Sequence, residues 1–275
     1  MMLDYFEMTA DPGLNSFIRK FWIIENPYGL PVTKFALPNT CMTLAIISGN
    51  GLIINFKNDT TYLAPGSYLV GELTKKIGIT VPPNSKAFMV QLNPWAGGLL
   101  SGCSYHELVD HFSPLVDINK TLASAFNKID NLNNNVTRHQ IQKAIEKYGY
   151  PTTSAKFIEE CFYLFDSHPL ANPFKIKDLS LATGYSVRYI EKKFRQHVGL
   201  TPKNAFSISK IRKIVDELSV RDNDLSLTAI AYKYGYSDQA HFTKSYYSIM
   251  DSLPSKFIVK PYLLPLKRYE RKPGS

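Results

Sequence analysis

The sequence predicts an α+β protein in two parts: a β-barrel with a helical arm, then an all-α domain in which one two-helix pattern is written twice. Three observations carry that prediction. Short apolar runs rich in β-branched and aromatic residues alternate with turn signals as far as Leu92. From Trp95 onward the apolar residues recur at helical spacing. Finally, LATGYSVRYIEKKFRQHVGLTP (Leu181 to Pro202) is echoed by AYKYGYSDQAHFTKSYYSIMDSLP (Ala231 to Pro254). Gly184 precedes Phe194 by ten positions and Pro202 by eighteen, while Gly235 precedes Tyr246 by eleven and Pro254 by nineteen. The second copy is one residue longer, and the match persists on both sides of the insertion.

Taken in order, Phe21 to Ile24, Met42 to Ile47, Gly51 to Phe56, Gly66 to Val70, Ile77 to Val81 and Ala87 to Leu92 read as strands. Asn26-Pro27, Gly49-Asn50-Gly51, Lys57-Asn58-Asp59, Pro65-Gly66 and Pro82-Pro83-Asn84 separate them as turns. Such regular short strands suggest a small barrel or sandwich. Helical spacing then runs through Ala96–Ser101, Tyr105–His111, Leu122–Ile129, Arg138–Tyr148 and Ala155–Ser167, with polar breaks at Asn131–Asn135 and Tyr150–Thr153. Leu122 to Tyr148 is expected to form the arm. A domain boundary is placed near Gly149–Ser154, giving 1–150 and 151–275, with a rival position near residue 170.

In the repeated region, Lys175–Thr183 is expected as a first helix facing inward through Ile176, Leu179 and Ala182. Val187–His197 follows, with Ile190 and Phe194 inward. Lys203–Ser219 is a long connecting helix, Arg221–Asp224 a turn, and Ser226–Tyr234 and Ser237–Ile249 the second pair. Glycine accepts the positive φ of a helix C-cap. Ser186 and Ser237 are placed to cap the helices that follow. Tyr185 and Tyr236 are placed to plug the corners. Two helices joined this way form a helix-turn-helix, at about residues 174–199 and again at 225–250, whose second helix fits a DNA major groove.

This region resembles the DNA-binding domain of AraC/XylS-type transcription regulators. Ile230, Ala231, Gly235, Tyr236, Phe242, Tyr246 and Pro254 follow the pattern of that family's second unit. Gly199, Thr201 and Pro202 follow its Gly-x-Thr-Pro ending in the first unit. Asp251 and Leu253 depart from it, standing for the glycine and the threonine. The stretches RKFWIIEN, LPNT, LVGELT and VQLNPWAGG look like a subgroup whose N-terminal sensor is a cupin-like barrel. The resemblance implies a dimer contact through the helical arm and base reading from positions matching Arg188, Glu191, Lys192, Gln239 and Lys244.

Composition agrees with that expectation. The net charge is +9, and residues 151–275 hold 20 Lys and Arg against 12 Asp and Glu, while residues 1–150 hold 12 against 11. Basic side chains lower the free energy of phosphate contact by releasing condensed counterions. Once inward positions are removed, Arg188, Glu191 and Lys192 remain as base readers of the first unit, with Arg195 suited to a phosphate. In the second unit Gln239, His241 and Lys244 remain as base readers beside Thr243. Lys203, Lys210, Arg212 and Lys213 of the connecting helix could line the DNA backbone, though not all on one side. The alternative for each is an ordinary exposed polar residue.

For the N-terminal half, Trp22, Tyr62, Tyr68, Phe88 and Trp95 could line an effector pocket with Glu72 or Arg19 as polar anchor; plain core is the alternative reading. No cofactor and no metal are expected. Residues 1–100 contain no histidine, and Cys103, His106 and His111 are too loosely spaced for a site. Cys41, Cys103 and Cys161 are scattered, as in a reducing cytoplasm. The run MMLDYFEMTADPG lacks a signal core, and no window is apolar enough for a membrane span. The expected partners are duplex DNA, a small-molecule effector, a second copy of the chain and RNA polymerase. Two other readings stay open: a protein-interaction module whose units have lost DNA contact, and a DNA-repair methyl acceptor. The latter would need an activated thiolate and often a cysteine zinc cluster.

Overall fold

A computed structural model describes residues 3–96, 104–129, 132, 134–147, 153–219 and 226–263. The expected helix after Ala96, Cys103, the break before Thr153, the turn at Arg221–Asp224 and the basic tail lie outside the described residues.

Among the described residues, ten strands form two antiparallel sheets: β1 Asp4–Met8, β2 Ile18–Asn26, β3 Val32–Ala36, β4 Thr43–Ser48, β5 Leu52–Phe56, β6 Asp59–Leu63, β7 Gly66–Val70, β8 Ile77–Val81, β9 Ser85–Leu92 and β10 Phe112–Pro114. One sheet has the order β1-β2-β9-β4-β7-β10, the other β3-β8-β5-β6. The expected barrel is therefore corrected to two packed sheets that do not close. The chain crosses between them at β4–β5, where Gly49 and Gly51 take φ of 74° and 72°. A Cβ on Gly49 would stand 1.8 Å from the Asn84 carbonyl oxygen. Only glycine lets the chain turn that close to its neighbour.

The six-stranded sheet is covered on both faces. Phe21, Ile23, Leu44, Ile46, Phe88 and Val90 point to one core. Their neighbours Trp22, Ile24, Ala45, Ile47, Ala87 and Met89 point to the other, against Ile54, Leu63, Ile77 and Ile79 of the four-stranded sheet. Strand alternation with burial on both sides explains the unbroken apolar runs in β2, β4 and β9.

The helices α1 Tyr105–Leu108, α2 Leu115–Ile118, α3 Lys120–Phe126 and α4 Asn134–Glu146 follow. Leu122, Ala123 and Phe126 of α3 and Ile141, Ala144 and Ile145 of α4 fill the outer face of the large sheet. Asn119 caps α3 by accepting the Leu122 amide at 2.9 Å. The expected Tyr105–His111 helix is shorter because Phe112–Pro114 pairs with β7 instead.

The helical domain contains α5 Thr153–Ser167, α6 Ile176–Thr183, α7 Val187–His197, α8 Pro202–Ser219, α9 Leu227–Lys233 and α10 Gln239–Met250. Phe157, Ile158, Cys161, Phe162 and Phe165 bury α5 in the same core as Ile190, Phe194, Ile211, Phe242 and Tyr246. Among the described residues, no helix is long and apolar enough to cross a membrane.

The two halves are joined at several points. Phe35 of edge strand β3 donates its amide to Pro261 O and accepts from Leu263 N, each at 2.8 Å. The amide of Lys76 donates to Ile249 O at 2.9 Å. At the other end, His106 Nδ1 lies 3.2 Å from Gly199 O, and Trp95 packs on Phe162 while donating to Ser16 O at 2.7 Å.

Candidate nucleic-acid interface

In the first unit, Gly184 ends α6 with φ 72° and its amide bonds Ser180 O. Ser186 then caps α7, its hydroxyl accepting the Tyr189 amide at 3.3 Å. Leu179, Ile190 and Phe194 are buried, while Ala182, expected to face inward, is exposed. Tyr185 is 42% exposed and stacks on Tyr189, so its ring lies along the corner without filling it. Gly199 takes φ 81°. Thr201 accepts the Asn204 amide at 3.2 Å, and Pro202 starts α8. The Gly-x-Thr-Pro ending is thus one helix stop and one helix start.

The outward face of α7 carries Arg188, Glu191, Lys192 and Arg195, all exposed. They are spaced three, four and seven apart and share one side of the helix. None makes a hydrogen bond or ion pair among the described residues. Lys193, by contrast, is tied to Ser154 Oγ at 2.9 Å.

The second unit repeats this plan with changes. Ser226 caps α9, and Gly235 takes φ 68° two residues beyond the helix end, where a Cβ would lie 2.5 Å from Ala171 O. Tyr236 is buried and shares a 3.2 Å hydrogen bond with Ser245, filling its corner as expected. The cap of α10 is Asp238 rather than Ser237: its carboxylate accepts the His241 amide at 2.7 Å. That bond holds the Asp238 carboxyl below its usual range. The extra residue of the second copy shifts the cap by one, and aspartate serves as well as serine there. Asp251 adopts φ 48°, the left-handed geometry that glycine takes in the first unit.

On α10, Gln239, His241 and Lys244 are exposed and Thr243 is half-buried. His241 leans back on its own turn, 3.1 Å from Ser237 Oγ and edge-on to the Tyr236 ring. Gln239 Oε1 accepts from the Thr228 hydroxyl at 2.8 Å, which leaves its amide nitrogen to donate. Gln239, Thr243, Lys244 and Tyr247 also surround an open hollow with Ala240 and Leu253. Sequence spacing did not show that hollow, because Leu253 lies beyond the end of α10, where helical periodicity no longer applies.

The connecting helix α8 differs most from expectation. Lys210 Nζ sits 4.1 Å above the Tyr236 ring, and burial lowers its pKa. Arg212 pairs with Asp216 at 3.5 Å within the field of Arg19, Tyr5 and Glu7. Lys213 pairs with Asp166 at 3.2 Å. These three hold protein together, and Lys203 is the exposed cation of the four without a partner among the described residues.

The aromatic pocket set does not converge. Trp22 lines a narrow cavity of about 60 Å³ between the sheets, with Leu37, Cys41, Ile54, Met89 and Phe112. Phe88 lies on the opposite face of the large sheet against Phe21. Tyr62 is 59% exposed, Tyr68 donates to Ala64 O at 2.9 Å, and Trp95 packs in the helical half. Arg19 Nη1 reaches Cys41 Sγ at 3.5 Å. Glu72 is fully buried, neither carboxylate oxygen bonds another residue among the described ones, and burial raises its pKa well above the usual range. Among the described residues no His, Cys, Asp and Glu cluster could hold a metal.

Residues 179–259 match a family model described as a helix-turn-helix domain, and residues 6–114 match a domain of unknown function, DUF6597. Similar curated proteins include the HTH-type transcriptional activator RhaS of Salmonella arizonae and that of Salmonella newport. Each is 36% identical over 58 residues, 21% of this chain and 20% of the relative. The chain thus spans about one-fifth of the length of these relatives. Among solved structures, ToxT from Vibrio cholerae O395 superposes with a TM-score of 0.44 and 12% identity, over 92% of this chain and 95% of that one. The C-terminal domain of AraT, a response regulator from Geobacillus stearothermophilus, gives 0.37 and 13%, over 44% and 98%.

Proposed function

We propose that this chain, whose C-terminal region is an AraC-type helix-turn-helix domain, is a sequence-specific DNA-binding transcription regulator of the cytoplasm, without catalytic chemistry of its own. Residues 151–275 bind DNA, and residues 1–150 form a sensor and dimerisation domain with α3 and α4 as its arm. The observation that carries this reading is the face of α7. Arg188, Glu191, Lys192 and Arg195 stand exposed and uncommitted on one side, while Ile190 and Phe194 fix the other side in the core. A helix held from behind, with donors and an acceptor in front, suits a major groove. RNA polymerase and a second copy of the chain are its further partners.

Regulation by a small molecule has a physical route. Leu37 lines the inter-sheet cavity and also belongs to the helical core. Ala36 and Ile77 line the same cavity, next to Phe35 and Lys76, whose backbones hold the end of the second unit. An apolar effector wedged between the sheets would shift β3 and β8, and with them α10.

Fluorescence anisotropy with a labelled duplex at increasing salt tests DNA binding directly. Five exposed cations without ion pairs (Arg188, Lys192, Arg195, Lys203 and Lys244) give a slope of roughly −4 to −5 in log K against log salt. A slope near zero, or no binding with or without candidate effectors, would overturn the reading.

A further inference from the structure

The hollow on α10 invites a more specific question: which group of the major groove does it receive? It is lined by Gln239, Ala240, Thr243, Lys244, Tyr247 and Leu253. Ala240, Thr243 and Tyr247 lie on the outward side of the recognition helix. Leu253 arrives from the segment after α10 and is 39% exposed, although a leucine on a free surface gains nothing from that position. Leu253 stands where the first unit has Thr201, whose hydroxyl caps the next helix. Leu253 precedes a short 3₁₀ turn and makes no side-chain cap bond. The substitution gives up a capping bond and supplies an apolar wall.

Base pairs present acceptors, donors and one apolar group in the major groove, and that group is the C5-methyl of thymine. The lining surface is mostly apolar, so a phosphate or a guanine edge would be met by Lys244 and Gln239 alone and would leave the alkyl and aromatic wall unused. Resting on the DNA-reading role proposed above, we infer that this hollow is a thymine-methyl subsite. Ala240, Thr243, Tyr247 and Leu253 enclose the methyl. Gln239, with its oxygen held by Thr228, donates its amide to an acceptor of the adjacent base, and Lys244 donates to a guanine next to it. The second unit thereby specifies a thymine flanked by purine acceptors. In the first unit, Arg188, Glu191 and Lys192 read through charge.

The test uses the full chain and a duplex obtained by in vitro selection on it. Each thymine in the selected site is replaced in turn by deoxyuridine, which removes the methyl alone. At one or two thymines in the second unit's block the affinity should fall about fourfold, the worth of one buried methyl-sized group. Thr243→Ser and Leu253→Thr, both at partly exposed positions and compatible with the fold, should bind the thymine and uracil duplexes equally. Deoxyuridine that is neutral throughout that block, with sequence-specific binding intact, would overturn the subsite and leave the DNA-binding role standing. Failure to select any sequence would remove both. Uracil discrimination that survives both substitutions would place the methyl contact elsewhere and overturn the assignment to this hollow.

Discussion

Replacing Glu72 by glutamine should stabilise the protein at neutral pH. Glu72 is 0% exposed, and among the described residues no other residue bonds either of its carboxylate oxygens. Burial opposes the charged form, so its folded pKa is raised well above that of an ordinary glutamate. In the unfolded chain the same group ionises near 4.3. Between the two values the folded state binds the extra proton, and stability falls as pH rises, at about 1.4 kcal/mol per pH unit. Below the unfolded value the penalty vanishes. Glutamine keeps the shape and loses the ionisation, so the gap between variant and wild type should widen as pH rises from 5 towards 7. Urea denaturation of both proteins across that range, with m-values compared, measures the gap directly. Parallel pH profiles would show that Glu72 stays charged and solvated or paired in the native state, and would refute the reasoning.

Much of this was legible from residue types alone. Central strands showed themselves because β2, β4 and β9 are covered on both faces and must be apolar throughout. Edge strands did not: β6 is Asp-Thr-Thr-Tyr-Leu with four exposed residues, and in β1 and β3 most residues are only half-buried, with Phe6 and Thr33 exposed. Their pairing comes from neighbours, which local pattern cannot contain. Closure into a barrel was an inference from strand spacing; the chain instead passes back and forth between two sheets, the glycine corner at 49–51 being one of the crossings. The helix-turn-helix units could be read almost to the residue because caps, glycines and inward apolar positions are local signals. Orientation of long cations was not local. Lys210, Arg212 and Lys213 find Tyr236, Asp216 and Asp166 through the tertiary fold, and the aromatic set expected around a pocket was dispersed by strand alternation that sends Trp22 and Phe88 to opposite faces.

Other substitutions separate these roles. Arg188→Ala or Lys192→Ala should each cost about 1–3 kcal/mol of specific affinity and relax preference at one base position, read by competition with single-base variants. Lys203→Ala should weaken all duplexes alike and lower the salt slope by about one, whereas Lys213→Ala should leave the slope unchanged because its partner is Asp166. Gly199→Ala places a Cβ 2.6 Å from Tyr105 O at φ 81°, and should cost at least ~2 kcal/mol, seen as a drop of several degrees in Tm. Tyr246→Phe removes a buried hydroxyl that has no hydrogen-bond partner among the described residues, and should leave stability unchanged or raise it by about 1 kcal/mol in the same urea titration.

The most direct test of a two-unit reader is in vitro selection of random duplex DNA on the full-length protein at moderate salt, repeated with Arg188→Ala and with Lys244→Ala. Two readers on one chain predict two enriched blocks about one helical turn, ~34 Å, apart. One block should degrade with the first substitution and the other with the second. A single block, insensitive to Lys244→Ala, would contradict base reading by α10 and leave the second unit as a structural copy of the first.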